Sequence, residues 1–303
     1  VISPSTIRTY ALVDGRITRE MANSAGIGVS AVDGGLYLDI GESADKARYR
    51  FLPDDPSRPP EEISLIPPNN ADGHISVTRV YGGIGAGVGA FFALSRSGVH
   101  LAREWFTKVD DKTVSLLSLY EKGKAEPLST VTLEDQMGEP PVFSPDGKLL
   151  AVTMENYTLL LSVPDLRELQ RSITFTDNIQ GVAFSSDGNL LAISVYPNKL
   201  YIWRFSDGTL ISADAGEGIE QIVFSPDGRI LAAIVGGGIQ LWDTSLWDTS
   251  GIRLIRTIQE PSVISLAFSP DGMLLASGSA DGTVRLWGVA DGDLLGGHTK
   301  PAT

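Results

Sequence analysis

The sequence predicts an all-β protein assembled from repeated four-stranded antiparallel units. Two observations predict it. The string "FSPDGKLLAV" at Phe143 returns as "FSSDGNLLAI" at Phe184, "FSPDGRILAA" at Phe224 and "FSPDGMLLAS" at Phe268. The intervals are 41, 40 and 44 residues (184−143, 224−184, 268−224), a period that marks a repeat architecture. Between these strings, short runs of alternating apolar and polar residues are broken by Gly, Asp and Pro, the pattern of strands joined by tight turns.

One repeat justifies the unit. In "VISLAFSPDGMLLASGSADGTVRLWGVADGDLLGGH", Val263 to His298, "VISLAF" alternates and reads as a strand. "SPDG" turns the chain, with proline at the first central position and glycine free to take a positive φ. "MLLASGS", "TVRLWGV" and "DLLGG" follow as strands separated by two "ADG" turns. A single four-stranded meander exposes both faces, and radial stacking on copies of itself buries them. Phe143, Phe184, Phe224 and Phe268 fall on the first strand, and Trp203, Trp242 and Trp287 on the third. These positions are expected to pack one unit against the next.

The segment closely resembles a WD-repeat β-propeller unit, through its "FSPDG" turn, "SADGTVRLW" stretch and Gly297-His298 pair. The resemblance implies four-stranded blades arranged radially around a central channel. It also implies a buried network joining a histidine, a Ser or Thr, the turn aspartate and the strand tryptophan. Asp281 and Trp287 match that network. The histidine expected before the last blade is missing from "IQEPSV" at Ile258, so the network is expected to be mostly dismantled.

The regular repeats occupy 140–303. Within 1–139 the blades are degenerate, and the whole chain reads as one propeller domain. "STIRTYALVDGRITREM" at Ser5 matches a third and fourth strand with no first pair before it. "GIGVSAVDGGLYLDIGESADKARYRF" at Gly26 reads as strands one to three. "GVGAFFALSRSGVHLAREWF" at Gly87 supplies a first and second strand, and "KTVSLLSLYEKGKAEPLSTVTL" at Lys112 a third and fourth. The total is six inner hairpins plus one orphan outer hairpin. Seven blades are expected, and six blades with an extra N-terminal hairpin is the alternative.

Two irregularities interrupt this order. "LWDTSLWDTS", Leu241 to Ser250, is a five-residue tandem duplication that lengthens an outer loop. "PDDPSRPPEEISLIPPNNADG", Pro53 to Gly73, is expected to project from the first blade. Its Asp54, Asp55, Glu61 and Glu62 lie beside Arg58, and Ile63, Leu65 and Ile66 add an apolar patch. An apolar centre inside a charged rim is the makeup of a protein contact, so these eight residues are the candidate partner-binding set.

Composition narrows the function. The chain has 303 residues, 42% hydrophobic and 20% charged, which suits one large globular β domain. Its net charge of −13 argues against nucleic acid or an anionic membrane surface, both of which need a basic face, and suggests a basic or polar partner. No apolar run approaches about eighteen residues, so no membrane insertion is expected. The lack of cysteine removes disulfides, thiolate metal sites and cysteine nucleophiles. The chain starts at Val1 with no visible signal peptide, which leaves an exported mature protein or a domain of a longer one.

Catalysis finds no positive sign. His74, His100 and His298 share no motif with a Ser or Asp partner. Gly85, Gly87 and Ala90 form a G-x-G-x-x-A match, but a strand signal follows where a dinucleotide site needs a helix. The "DG" aspartates Asp146, Asp187, Asp227, Asp271 and Asp281 are read as turn formers, because no calcium-loop spacing surrounds them. No cofactor and no metal site is expected. The reading is a non-catalytic scaffold or sensor that binds a protein or peptide. The alternative is a propeller-fold hydrolase or lyase with its site at the channel mouth.

Overall fold

A computed structural model describes residues 6–10, 17–22, 29–32, 35–39, 47–53 and 61–65, and, between short gaps, 92–299. Every regular element among them is a strand. The chain divides into two compact units, 1–135 with 164–166, and 136–163 with 167–303.

In the first unit, β1 (Thr6–Tyr10) and β2 (Ile17–Ala22) form a two-stranded antiparallel hairpin. β3 (Val29–Val32), β4 (Gly35–Asp39), β5 (Ala47–Pro53) and β6 (Glu61–Leu65) form a four-stranded meander. β7 (Phe92–Leu94), β8 (His100–Val109), β9 (Lys112–Glu121) and β10 (Ser129–Thr132) form a second. The turn between β7 and β8 keeps the geometry of the regular repeats without their aspartate. Ser95 Oγ accepts from His100 N at 2.9 Å, and Ser97 stands in the aspartate's place with its Oγ 3.2 Å from that of Ser95.

The second unit holds four meanders. They are β11 (Val142–Phe143) to β14 (Glu168–Arg171) through β12 (Leu149–Thr153) and β13 (Thr158–Ser162), and β15 (Ile179–Phe184) to β18 (Leu210–Asp214) through β16 (Leu190–Val195) and β17 (Lys199–Arg204). Next come β19 (Ile219–Phe224) to β22 (Arg253–Ile258) through β20 (Ile230–Val235) and β21 (Gly238–Asp243), and β23 (Val263–Phe268) to β26 (Leu294–Thr299) through β24 (Leu274–Ser279) and β25 (Thr283–Gly288). The described residues thus contain six four-stranded sheets and one two-stranded hairpin. The inner pair that a seventh blade needs is not among them.

Register explains the recurring string. Phe184 pairs with Leu191, Leu191 with Trp203 and Trp203 with Leu210. The same ladder runs Phe224–Leu231–Trp242–Leu254 and Phe268–Leu275–Trp287–Leu294. Trp203 packs in a cluster with Ala151 and Leu160 of the preceding sheet, Trp242 with Ala192, Leu200 and Ile202, and Trp287 with Ala232, Ile239 and Leu241. In these three blades the indole seals the joint behind it. Phe143 and Phe184 are buried. Phe224 and Phe268 are only half-buried against their clusters. Side-chain alternation puts each phenylalanine on the packing face, but how much of the ring is covered depends on the neighbouring blade.

The histidine network is less dismantled than the sequence implies. Trp287 Nε1 donates to Ser277 Oγ at 2.9 Å. In the stretch without its histidine, buried Glu260 pairs with Arg285 of β25, whose other end reaches Asp281 at 3.3 Å. This ion pair ties the crossover into β25, although by register Ile258 rather than Glu260 stands where His298 stands in the last blade. The tandem duplication divides: Leu241 to Asp243 complete β21, and 246–250 lie outside the described residues.

Candidate functional site

The two ends of the second unit are built differently. At one end, each Ser-x-Asp-Gly turn is closed by its own side chains. Ser144, Ser185, Ser225 and Ser269 donate to Asp146, Asp187, Asp227 and Asp271 at 2.7, 2.5, 2.6 and 2.5 Å. Each aspartate also accepts the backbone N–H two residues on, at 3.0 to 3.1 Å. At the opposite end, in the turn from β24 to β25, Asp281 accepts from Thr283 through both N–H and hydroxyl. These aspartates are saturated by their turns.

The other end gathers the crossovers between blades. The turn from β12 to β13 accepts bonds from Phe175 N and Ile179 N of the next crossover. Pro197 O accepts from Gly218 N, and Gly237 O accepts from Val263 N. Gly237 has φ +78°, and a Cβ there would stand 3.2 Å from Ser262 N, so the tight crossing requires glycine. One third-strand position per blade then grips the crossover that enters it. The Tyr201 ring lies 4.8 Å from that of Phe175, Gln240 Nε2 donates to Ala215 O at 2.8 Å, and Arg285 pairs with Glu260. Contacts of three different chemistries share one structural task.

This hydrogen-bonded end displays an ordered set of side chains. The first strand of three blades opens with a register shift, between Ile179 and Gly181, between Ile219 and Ile222, and between Val263 and Ser265. Such an irregularity re-aims the residue inside it, and Gln180, Glu220 and Ile264 are all exposed. Ser194 Oγ anchors the arrangement by donating to Gly181 O and to Glu220 O of the next blade, at 3.3 and 3.2 Å. Gln221 Oε1 accepts from Leu266 N at 2.7 Å and ties that blade to its successor. Tyr196 is 57% and Ile264 48% exposed, large apolar surface at the same end.

Charge on this end is mostly negative. Glu155, Asp177, Asp214, Glu220 and Asp281 are exposed. The cations Lys199 and Arg285 are already bound, to Asp214 at 2.7 Å and to Glu260 and Asp281. Bonding to Asp214 raises the Lys199 amine above its usual range. No three His, Cys, Asp or Glu side chains among the described residues converge as a metal site would require.

The candidate residues of the Pro53–Gly73 stretch fall elsewhere. Glu61, Glu62, Ile63 and Leu65 belong to β6, paired with β5 from Phe51↔Glu61 to Ala47↔Leu65, so they are not part of a projecting loop. The alternation "EEISL" allows this fourth strand, and the prolines on both sides hide it from a composition-based reading. Asp54, Asp55, Arg58 and Ile66 lie outside the described residues, as do His74 and the G-x-G-x-x-A stretch. A different excursion went unread: β8 and β9 pair over ten residues each, from His100↔Glu121 to Val109↔Lys112, whereas β7 and β10 flank only part of that length. The available signal was the absence of Gly and Pro from His100 to Val109 and from Lys112 to Glu121.

Comparison with known proteins agrees with this architecture. Residues 252–288 match the family model "WD domain, G-beta repeat". The Cps50 (Swd1) β-propeller domain of Myceliophteria thermophila superposes with a TM-score of 0.67 over 94% of this chain and 89% of that one, at 15% identity. The chain has the β-propeller fold, and residues 252–288 carry a WD repeat. Small ribosomal subunit protein RACK1 of Schizosaccharomyces pombe is 32% identical over 121 residues, 38% of each chain. Telomerase protein component 1 of Mus musculus is 27% identical over 195 residues, covering 50% of this chain and 7% of that protein. An uncharacterized WD repeat-containing protein of Synechocystis, sll1491, is 29% identical over 141 residues, 45% of this chain and 39% of its own. The match spans well under half the length of each of these relatives. Within this propeller, the matched model runs from the outer strand of one blade to the indole strand of the next.

Proposed function

We propose that this propeller is a non-catalytic platform that docks a protein or peptide on the crossover end of its C-terminal unit, and that the docked segment carries basic side chains beside an apolar one. The observation that carries the reading is the aligned, exposed trio Gln180, Glu220 and Ile264, each turned outward by the same irregularity on a hydrogen-bonded frame. Preorganised side chains bind with little ordering cost. The surrounding carboxylates outnumber the cations, which are already engaged, so an incoming Lys or Arg meets a complementary field. Tyr196 and Ile264 offer the apolar centre that such contacts need. Two relatives are, by name, components of assemblies, a ribosomal subunit and telomerase, which is consistent with a scaffold.

The reading is tested by affinity capture from the source lysate, with wild type and a Glu155→Lys/Glu220→Lys double variant as baits. Both side chains are exposed, so the variant is expected to keep its melting temperature. It is expected to lose the wild type's partner by tenfold or more, and the wild-type complex should weaken with salt. Equal capture by both baits would remove this end of the molecule from the proposal.

A further inference from the structure

We infer that Arg103 forms the base of a binding site for a small oxyanion of the phosphate or carboxylate class. Arg103 sits mid-strand in β8 and is 5% exposed, and among the described residues its Nη2 meets no hydrogen-bond acceptor. A guanidinium keeps its charge in proteins, so it cannot escape burial by losing a proton. A buried charge without a counter-charge is among the least tolerated features of a folded interior.

Packing does not call for an arginine there. By strand register, the same place in the C-terminal blades holds Val152, Ile193, Ala233 and Ser277, all buried. The neighbouring carboxylate on the same strand is no remedy. Glu104 is the next residue, so its side chain projects from the opposite face of the sheet, where Ser115 Oγ donates to it at 2.6 Å.

On the face that Arg103 shares with the apolar Leu101, three neighbouring groups are polar and suited to an anion. Ser118 pairs directly across from Arg103, and its Oγ lies 2.8 Å from Thr130 Oγ1. Tyr120 takes the place of the indoles of other blades. Burial raises its phenol, against the opposing pull of Arg103, so the hydroxyl remains a proton donor at neutral pH. A planar guanidinium fork with a phenol beside it matches the paired oxygens of a carboxylate or phosphate. The chain's net charge of −13 makes long-range capture of an anion unfavourable, so retention must come from these direct bonds.

The test uses the full chain with inorganic phosphate as probe, at ionic strength held constant with sodium chloride. Wild type is expected to melt roughly 5 °C higher at phosphate a hundredfold above its Kd. Arg103→Met is expected to show no phosphate dependence, and to melt no lower than wild type in phosphate-free buffer because the unpaired charge is gone. Acetate distinguishes the sources: a matching response to acetate assigns the site to carboxylates generally, and a response to phosphate alone assigns it to tetrahedral oxyanions. A wild-type melting temperature indifferent to both probes overturns the inference, as does a phosphate response retained by Arg103→Met. Should that variant fail to fold, calorimetric titration of wild type with phosphate and acetate decides, and no heat from either rejects the site.

Discussion

At the residue scale the blades are near-copies, and their differences are informative. Trp287 bonds Ser277, whereas the buried Trp242 Nε1 has no hydrogen-bond partner among the described residues. The residue that corresponds to Ser277 is Ala233, two positions after Leu231 on the same face. An indole N–H buried without an acceptor carries a desolvation penalty. Ala233→Ser supplies the missing acceptor on a geometry the protein already uses one blade later. It is expected to stabilise by about 1 kcal/mol, read as a higher urea midpoint with unchanged m value. An unchanged or lower midpoint would mean that the added hydroxyl cannot reach Trp242. The recurring tryptophan was plain in the sequence. Its bonding state was not, because a sequence string does not say which second-strand residue faces it.

At the element scale, legibility followed regularity. The second unit repeats one register, so turn residues and alternation mark nearly every strand from β15 to β26. The first unit carries the same meanders with weaker punctuation. Ser95 and Ser97 do the work of a Ser-x-Asp-Gly turn, and β6 hides between prolines. The ordered crossover end was legible only in part, since the irregularities that expose Gln180, Glu220 and Ile264 depend on pairing with the second strand. The strand β6 also changes how the Pro53–Gly73 stretch must be probed. Removing Pro56 to Asn70 would delete a strand paired over five residues, so loss of binding and loss of fold would be confounded. Replacing 54–60 alone with a Gly-Ser linker leaves β5 and β6 intact. If Asp54, Asp55 and Arg58 contribute to a partner contact, capture should weaken while the melting temperature stays within about 2 °C, because a linker of the same length closes the β5–β6 pair at a similar entropic cost. Unchanged capture would free that segment of any binding role.

At the scale of the whole molecule, one small device is repeated often enough to govern acid stability. The Ser144 hydroxyl holds Asp146 below the usual carboxylate range, as Ser225 does for Asp227 and Ser269 for Asp271. Asp187 is pushed up by burial, but bonds from Ser185 and Asn189 outweigh that and leave it lowered. Thr283 lowers Asp281 to about 2. All five carboxyls therefore bind protons less readily in the folded chain than in the unfolded one, whose aspartates titrate near 3.9. Between these values the unfolded state carries more protons, so stability rises with pH across the window. The contribution is fully present above about pH 5 and is lost as pH falls through the folded values toward 2. The sites lie in four successive blades and are all shifted in the same direction, so their losses add. The urea midpoint is expected to hold between pH 7 and 5 and to drop steeply from pH 4 to 2, with more than one proton taken up on unfolding near pH 3. Ser185→Ala and Ser225→Ala together should shallow that drop, because each frees an aspartate toward its ordinary value. A midpoint flat from pH 5 to 3, or a drop unaffected by the two substitutions, would show that acid sensitivity arises elsewhere than in the repeated turns.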